Sequence, residues 1–212
     1  MQEKTLTRIT VSLTTVVWIA VVVARGSKFD LALLTSFGGV VAVVVFLMTL
    51  FDRFLWRLPV VNMAFRNHRP MIRGTWTWRA KSSGWDDPFD GFLVINQTLS
   101  RVSVKALMKT GWSEALATSW GKSDDGNPAI FYVWRRFPKQ FEGEADLEDA
   151  APGFIEYGAG VLEICGDAPY VIKGPYWTCD WHSGQVLCNV RDRKVSKSFE
   201  EAASLFDGLR LP

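Results

Sequence analysis

At 212 residues, with 48% hydrophobic side chains and a formal net charge of +2, the chain is long enough for one ordinary domain plus a smaller element. It is too apolar for an evenly soluble protein and too weakly basic for a general nucleic-acid binder, so neither DNA nor RNA is expected as a partner. Three cysteines, Cys165, Cys179 and Cys188, form no C-x-x-C pair and leave at least one unpaired, which speaks against a zinc ribbon or a disulfide framework and for a reducing compartment.

The apolar excess sits at the N-terminal end. Between Arg8 and Arg25 lie 16 uncharged residues, which as a helix at about 1.5 Å per residue cover roughly 24 Å, short for a bilayer unless the flanking arginines snorkel. Leu31 to Phe51 supplies 21 uncharged residues and roughly 31 Å, the thickness of a hydrocarbon core. Two spans at about 7–25 and 31–51 would make residues 1–52 a transmembrane helical hairpin. A cleaved signal peptide with Val22-x-Ala24 at its end is the alternative for the first run. The following stretch carries five arginines against one aspartate, so the positive-inside rule places both termini and everything after Phe51 in the cytoplasm. Ala32-x-x-x-Ser36 and Gly38-x-x-x-Ala42 give the second run close-packing sites, for its neighbour or for a second copy.

Residues 53–71 read as a juxtamembrane joint, with Trp56 as an interfacial anchor and Pro59 and Pro70 as helix breakers. From there the pattern turns to period two, and strands are expected at about 72–80, 90–98, 101–109, 112–121, 129–137, 154–165, 170–179 and 185–192. The breaks between them are rich in Gly, Pro, Asp, Asn and Ser. Eight consecutive strands with hairpin-length turns and no intervening helices predict an all-β, eight-stranded antiparallel up-and-down barrel over 72–212, its interior either self-filled or holding one small ligand. Ser198 with Glu201 forms a capping box for one short C-terminal helix that Gly208 can end, with Phe199, Ala202, Ala203 and Phe206 on one face to close or prop the barrel.

The chemistry is that of binding rather than catalysis. The two histidines, His68 and His182, are far apart, so no histidine metal cluster is available. His182 beside Cys179 is the only nucleophile–base candidate, and more simply a turn. The five acids between Glu142 and Asp149 lack the spacing of a calcium loop and read as a solvated segment. Aromatic and basic residues, by contrast, alternate along the later strands. Tyr132, Trp134 and Arg136 share one face of the fifth strand, with Phe131, Val133 and Arg135 on the other, and Tyr176 and Thr178 share a face of the seventh with Gly174. Aromatic faces stack on nucleobases and guanidinium groups fork onto phosphates, so such a pocket suits a nucleotide better than a lipid. Tyr132, Trp134 and Tyr176 are the expected walls, with Gln97, Lys105, Arg135 and Thr178 as polar contacts. The competing reading is a membrane-anchored, lipocalin-like carrier for a small apolar molecule.

The order of parts resembles the membrane effectors of bacterial CBASS antiphage systems known as the SMODS-associating two-transmembrane β-strand-rich effector family. The resemblance covers nearly the whole chain and rests on Arg73-Gly74-x-Trp76, the strand with Ile95 and Gln97, the strand with Ile130, Tyr132 and Trp134, and a late segment with Gly174, Tyr176, Thr178 and Gly184. It implies a non-enzymatic sensor in the inner membrane. In that family's manner the barrel would bind a cyclic di- or trinucleotide made by a partner synthase, the protein would self-associate, and the spans would disrupt the membrane. This chain departs from the family pattern at Cys179 and Asp180, where relatives tend to carry Asp-Arg; Lys173, Arg135 or Arg191 are then the candidates to meet phosphate. Gly74-x-Trp76 at the start of the first strand also resembles the entry of lipocalins, which implies that Trp76 plugs one end of the barrel under Arg191 or Arg193.

Overall fold

The computed structural model describes residues 11–12, 14–20, 22–23, 31–58, 61, 69–83, 87–138, 156–166 and 170–207. The chain divides into two compact units, Met1–Met63 with Thr98–Ser100, and Ala64–Gln97 with Arg101–Pro212.

In the first unit, α1 spans Leu31–Arg53 and a 3-10 turn follows at Leu55–Arg57. Gly38–Arg57 is the one stretch among the described residues that is helical, long and apolar enough to cross a membrane. The expected first span, 7–25, falls partly outside the described residues; those described in it are helical, and one candidate span is shown among the described residues. Val43, Val45, Phe46 and Leu47 are exposed on α1. Thr49 hides its hydroxyl by donating to the Val45 carbonyl at 2.8 Å, as Thr15 does to Val11 at 2.9 Å, so neither polar atom needs water.

The second unit is a closed antiparallel β-barrel. Its strands are β1 (Gly74–Ser82), β2 (Phe89–Gln97), β3 (Val102–Met108), β4 (Gly111–Lys122), β5 (Pro128–Pro138), β6 (Tyr157–Cys165), β7 (Val171–Thr178) and β8 (Ser183–Cys188), each paired with the next. Pairing of β1 with β8, from Arg79 opposite Leu187 to Ser82 opposite Gly184, closes the ring and leaves no free edge. The expected eighth strand, 185–192, is in fact two pieces. Trp76 pairs with Arg191 rather than with the residue that the β1–β8 register would bring there, so Arg191–Asp192 forms a separate two-residue β9. The interruption is held by Thr77, whose amide donates to the Val190 carbonyl and whose hydroxyl donates to Asn189 Oδ1. A second irregularity, a bulge between Ala115 and Ala117 of β4, turns Leu116 outward and reverses the in–out alternation for the rest of that strand.

Gly74 has φ +148, and a Cβ there would lie 2.1 Å from the Asp192 carbonyl oxygen; only glycine lets β1 pass that close to β9. Behind β2 and β3 lies a second apolar cluster made by α2 (Phe199–Leu205), with Phe199 and Phe206 5.2 and 5.5 Å from the Phe92 ring. The helix therefore props the outer wall and does not close the barrel. Its N-terminus is capped by Ser198, which accepts from the Glu201 amide at 3.2 Å. Glu201 reaches back to the Lys197 amide at 2.8 Å, one residue beyond the partner a capping box prescribes, because Lys194 also holds its carboxylate at 2.9 Å. The helix stops at Leu205, before Gly208, which lies outside the described residues.

Candidate functional site

The barrel interior is filled at one end and open at the other. At the filled end Trp76, 1% exposed, stands among Ile72, Ile95, Ile130, Leu162 and Ile172 and donates its indole N–H to the Ile72 carbonyl at 2.9 Å. Arg191 lies over its ring, 5.4 Å from guanidinium carbon to centroid, and donates to the Met71 carbonyl at 2.5 Å. Burial lowers the pKa of that guanidinium, which remains a cation held on an indole face and a carbonyl. Gln97 is buried in the same layer. Its Oε1 accepts from the Ile72 amide and its Nε2 donates to the Pro70 carbonyl, both at 3.0 Å, tying the entering chain to β2.

The open end is a cavity of about 410 Å³, inside the range of roughly 300–1,000 Å³ typical of small-molecule sites. Trp78, Phe89, Tyr132, Trp134 and Tyr176 are its aromatic lining; Leu93, Val104, Ala106, Met108 and Val186 are its aliphatic lining. The rings come from β1, β2, β5 and β7, and the aliphatic side chains from β2, β3 and β8. Both tyrosines stay neutral at physiological pH, since burial raises the phenol of each. The Tyr176 hydroxyl is buried beside Ser82 without a hydrogen bond of standard geometry.

Charges gather at the mouth. Arg136 pairs with Glu156 at 3.4 Å and donates to Thr110 Oγ1 at 3.1 Å. On the β7–β8 hairpin, Thr178 donates to the Asp180 carboxylate and accepts from the His182 amide at 3.1 Å, and His182 Nε2 stands 3.6 Å from Asp180. The Thr178 hydrogen bond is the main reason the Asp180 carboxyl sits below its ordinary pKa. Lys109 also lines the mouth, and among the described residues no carboxylate lies within ion-pair distance of it.

Four of the seven expected ligand contacts, Tyr132, Trp134, Tyr176 and Thr178, thus meet in one cavity. The other three do not line it. Gln97 points inward but lies at the filled end. Lys105 and Arg135 are on the outer surface, Lys105 5.6 Å from the Trp112 ring and Arg135 paired with Glu114 at 3.0 Å and lying 4.3 Å over Phe137. Neither substitute for a phosphate contact fits either, since Lys173 is exposed on β7 and Arg191 is committed to Trp76. Two cations do reach the cavity, Lys109 and Arg136, and the alternation of β5 already sets Arg136 on the face of Tyr132 and Trp134. Glu156, Lys109 and Asp180 carry no comparable signal; loop ends bring them there. His182 and Cys179, the one nucleophile–base candidate, divide between mouth and surface: Cys179 is exposed and does not line the cavity.

No protein-family model matches the chain, and no curated protein sequence matches it.

Proposed function

We propose that the barrel is the ligand-binding part of a membrane-anchored, non-enzymatic sensor, and that its ligand is a cyclic di- or trinucleotide. The observation that carries this reading is the convergence of five aromatic rings in one open cavity whose mouth holds Arg136 and Lys109. A nucleobase stacked on one such ring gains about 1–3 kcal/mol, and Arg136 is placed to exchange Glu156 for a phosphate. Glu156 and Asp180 would accept from the amino and imino edges of a base. Because the mouth also holds Asp90, Glu156 and Asp180, its charges are nearly balanced, and stacking rather than net attraction provides most of the affinity.

Supporting the anchor, α1 exposes an apolar surface that water would disfavour and lipid would accept. In the proposed mechanism the protein sits in a bacterial inner membrane with its barrel in the cytoplasm. A synthase activated by phage infection supplies the nucleotide, and binding favours an assembled state by its differential affinity for that state. Assembly then disrupts the membrane and the infected cell dies. The aliphatic lining residues Leu93, Val104, Ala106, Met108 and Val186 favour a second reading, a carrier for a small apolar molecule.

One experiment separates them: thermal unfolding of the full chain in detergent with a panel of cyclic di- and trinucleotides and of fatty acids. A stabilising shift with a cyclic nucleotide is expected. A shift with fatty acids alone would replace the sensor with the carrier.

A further inference from the structure

An eight-stranded barrel is just wide enough inside for its own side chains to fill. Besides Phe89, four large rings line the open half of this one, yet a cavity of about 410 Å³ remains. The reason lies in what stands beside each ring. Trp78 pairs across the sheet with Gly91, Trp134 with Gly158, Tyr132 with Gly160 and Tyr176 with Gly184. A Cβ at those glycines would come within 2.8, 2.3, 2.8 and 2.5 Å of the respective rings, so each ring occupies the space of a missing side chain and lies along the wall. At the filled end the arrangement is different: Trp76 pairs with Leu93, finds no such space, and remains in the lumen.

Three of the four glycines are also required by the backbone, because a Cβ would meet a carbonyl oxygen at 2.6 Å at Gly91, 2.2 Å at Gly158 and 2.3 Å at Gly184. Gly160 is different. Its three nearest contacts are all the distal atoms of Tyr132, and its φ is not among the positive ones. The backbone there is open to a side chain, and the first thing a Cβ meets is the movable far end of the Tyr132 ring. Gly160 also pairs with Tyr176 on its other side, so it lies between two of the lining tyrosines.

We infer that Gly160 sets how wide a planar aromatic ligand the barrel admits, by giving the Tyr132 ring a place against the wall. The inference rests on the sensor reading for the ligand's identity, and on the geometry alone for the cavity. Gly160→Ala moves Tyr132 toward the lumen; Gly160→Leu moves it further and narrows the cavity.

The test uses the full chain in detergent with Ala106→Cys as a reporter on the aliphatic lining, labelled by a small methanethiosulfonate reagent and followed at that residue by mass spectrometry. Gly160→Leu is expected to slow labelling by about tenfold and Gly160→Ala by less, as overpacking a confined space predicts. Adding Tyr132→Ala restores the rate, and cyclic-nucleotide stabilisation is lost in Gly160→Leu. Equal labelling rates in the parent and in a cooperatively melting Gly160→Leu protein overturn the inference; should that variant not fold, equal rates in Gly160→Ala overturn it. If no nucleotide stabilises the parent, the sensor reading fails while the labelling rates still decide the role of Gly160.

Discussion

The two ends of the barrel use the same kind of residue to opposite effect. At the filled end Trp76 lies in the lumen, its N–H bonded to Ile72, its ring under Arg191 and its cross-strand partner a leucine. At the open end Trp134 and Tyr176, 9% and 7% exposed and so nearly as buried, lie over glycines and leave space between them and the opposite wall. An inward aromatic residue therefore does not by itself mean a plug or a pocket. Its cross-strand neighbour decides which: a side chain there keeps the ring in the lumen, and a glycine lets it lie against the wall.

Substitutions at the two ends should separate stability from binding. The largest effect is expected for Trp76→Ala, which removes the central ring of the filled end and leaves Arg191 without a surface to cover; about 3–5 kcal/mol of stability should be lost in thermal or denaturant unfolding. A loss below about 1 kcal/mol, the level of a surface change, would show that the end is not filled in the sense argued. Tyr176→Ala should do the reverse, keeping a cooperative melt while weakening cyclic-nucleotide binding by roughly tenfold to hundredfold, the worth of one stacked base. An unchanged dissociation constant in calorimetry on the full chain would remove Tyr176 from the site.

Alkaline pH probes the level where the two ends meet. Burial holds the Cys188 thiol above its ordinary 9.0 and the Tyr132 phenol above its ordinary 10.0. Each group stays protonated in the folded barrel after the unfolded chain has ionised. Stability is thus unaffected by them below pH 9 and falls as the pH climbs past 9 and then 10, by about 1.4 kcal/mol per pH unit for each group. Cys188→Ala should flatten the decline that begins near pH 9, and Tyr132→Phe the part above 10. Identical slopes in parent and variants would mean that these groups reach water.

The smallest effect concerns the adjacent arginines of β5. Arg136→Gln should weaken ligand binding by several-fold, a modest loss because its charge is already shared with Glu156 at a half-open site of the kind worth about 1 kcal/mol. Arg135→Gln, on the outer surface, should leave it within about twofold. Equal effects would place both on one face and break the β5 register.

That pair also shows how much of the site was legible. Alternation alone puts Arg136 with Trp134 and Arg135 opposite, and the fold keeps to it; the expectation for Arg135 came from the charge, not from the pattern. For Gln97 alternation gives the correct inward direction but says nothing about depth along the barrel, and depth turned a supposed ligand contact into a bracket for Ile72 and Pro70. Lys105 is amphipathic enough to suit either face. On β4 the bulge at Ala115–Ala117 shifts the period within the strand, and no residue in that stretch announces it.

What the sequence determined by itself is local. Period-two patterning, turn residues and the Ser198 cap set eight strands and a terminal helix, because these follow from which side chains a short stretch of backbone can accept. Gly74-x-Trp76 marked the entry, since a close backbone pass requires glycine. What only the tertiary structure decided is which strand residues stand side by side. The pairing of Gly160 with Tyr132 joins positions 28 residues apart in the chain, and that of Trp76 with Arg191 joins positions 115 apart. Whether a ring fills the barrel or lines a cavity depends on those neighbours, and cross-strand register is fixed only when the sheet closes on itself.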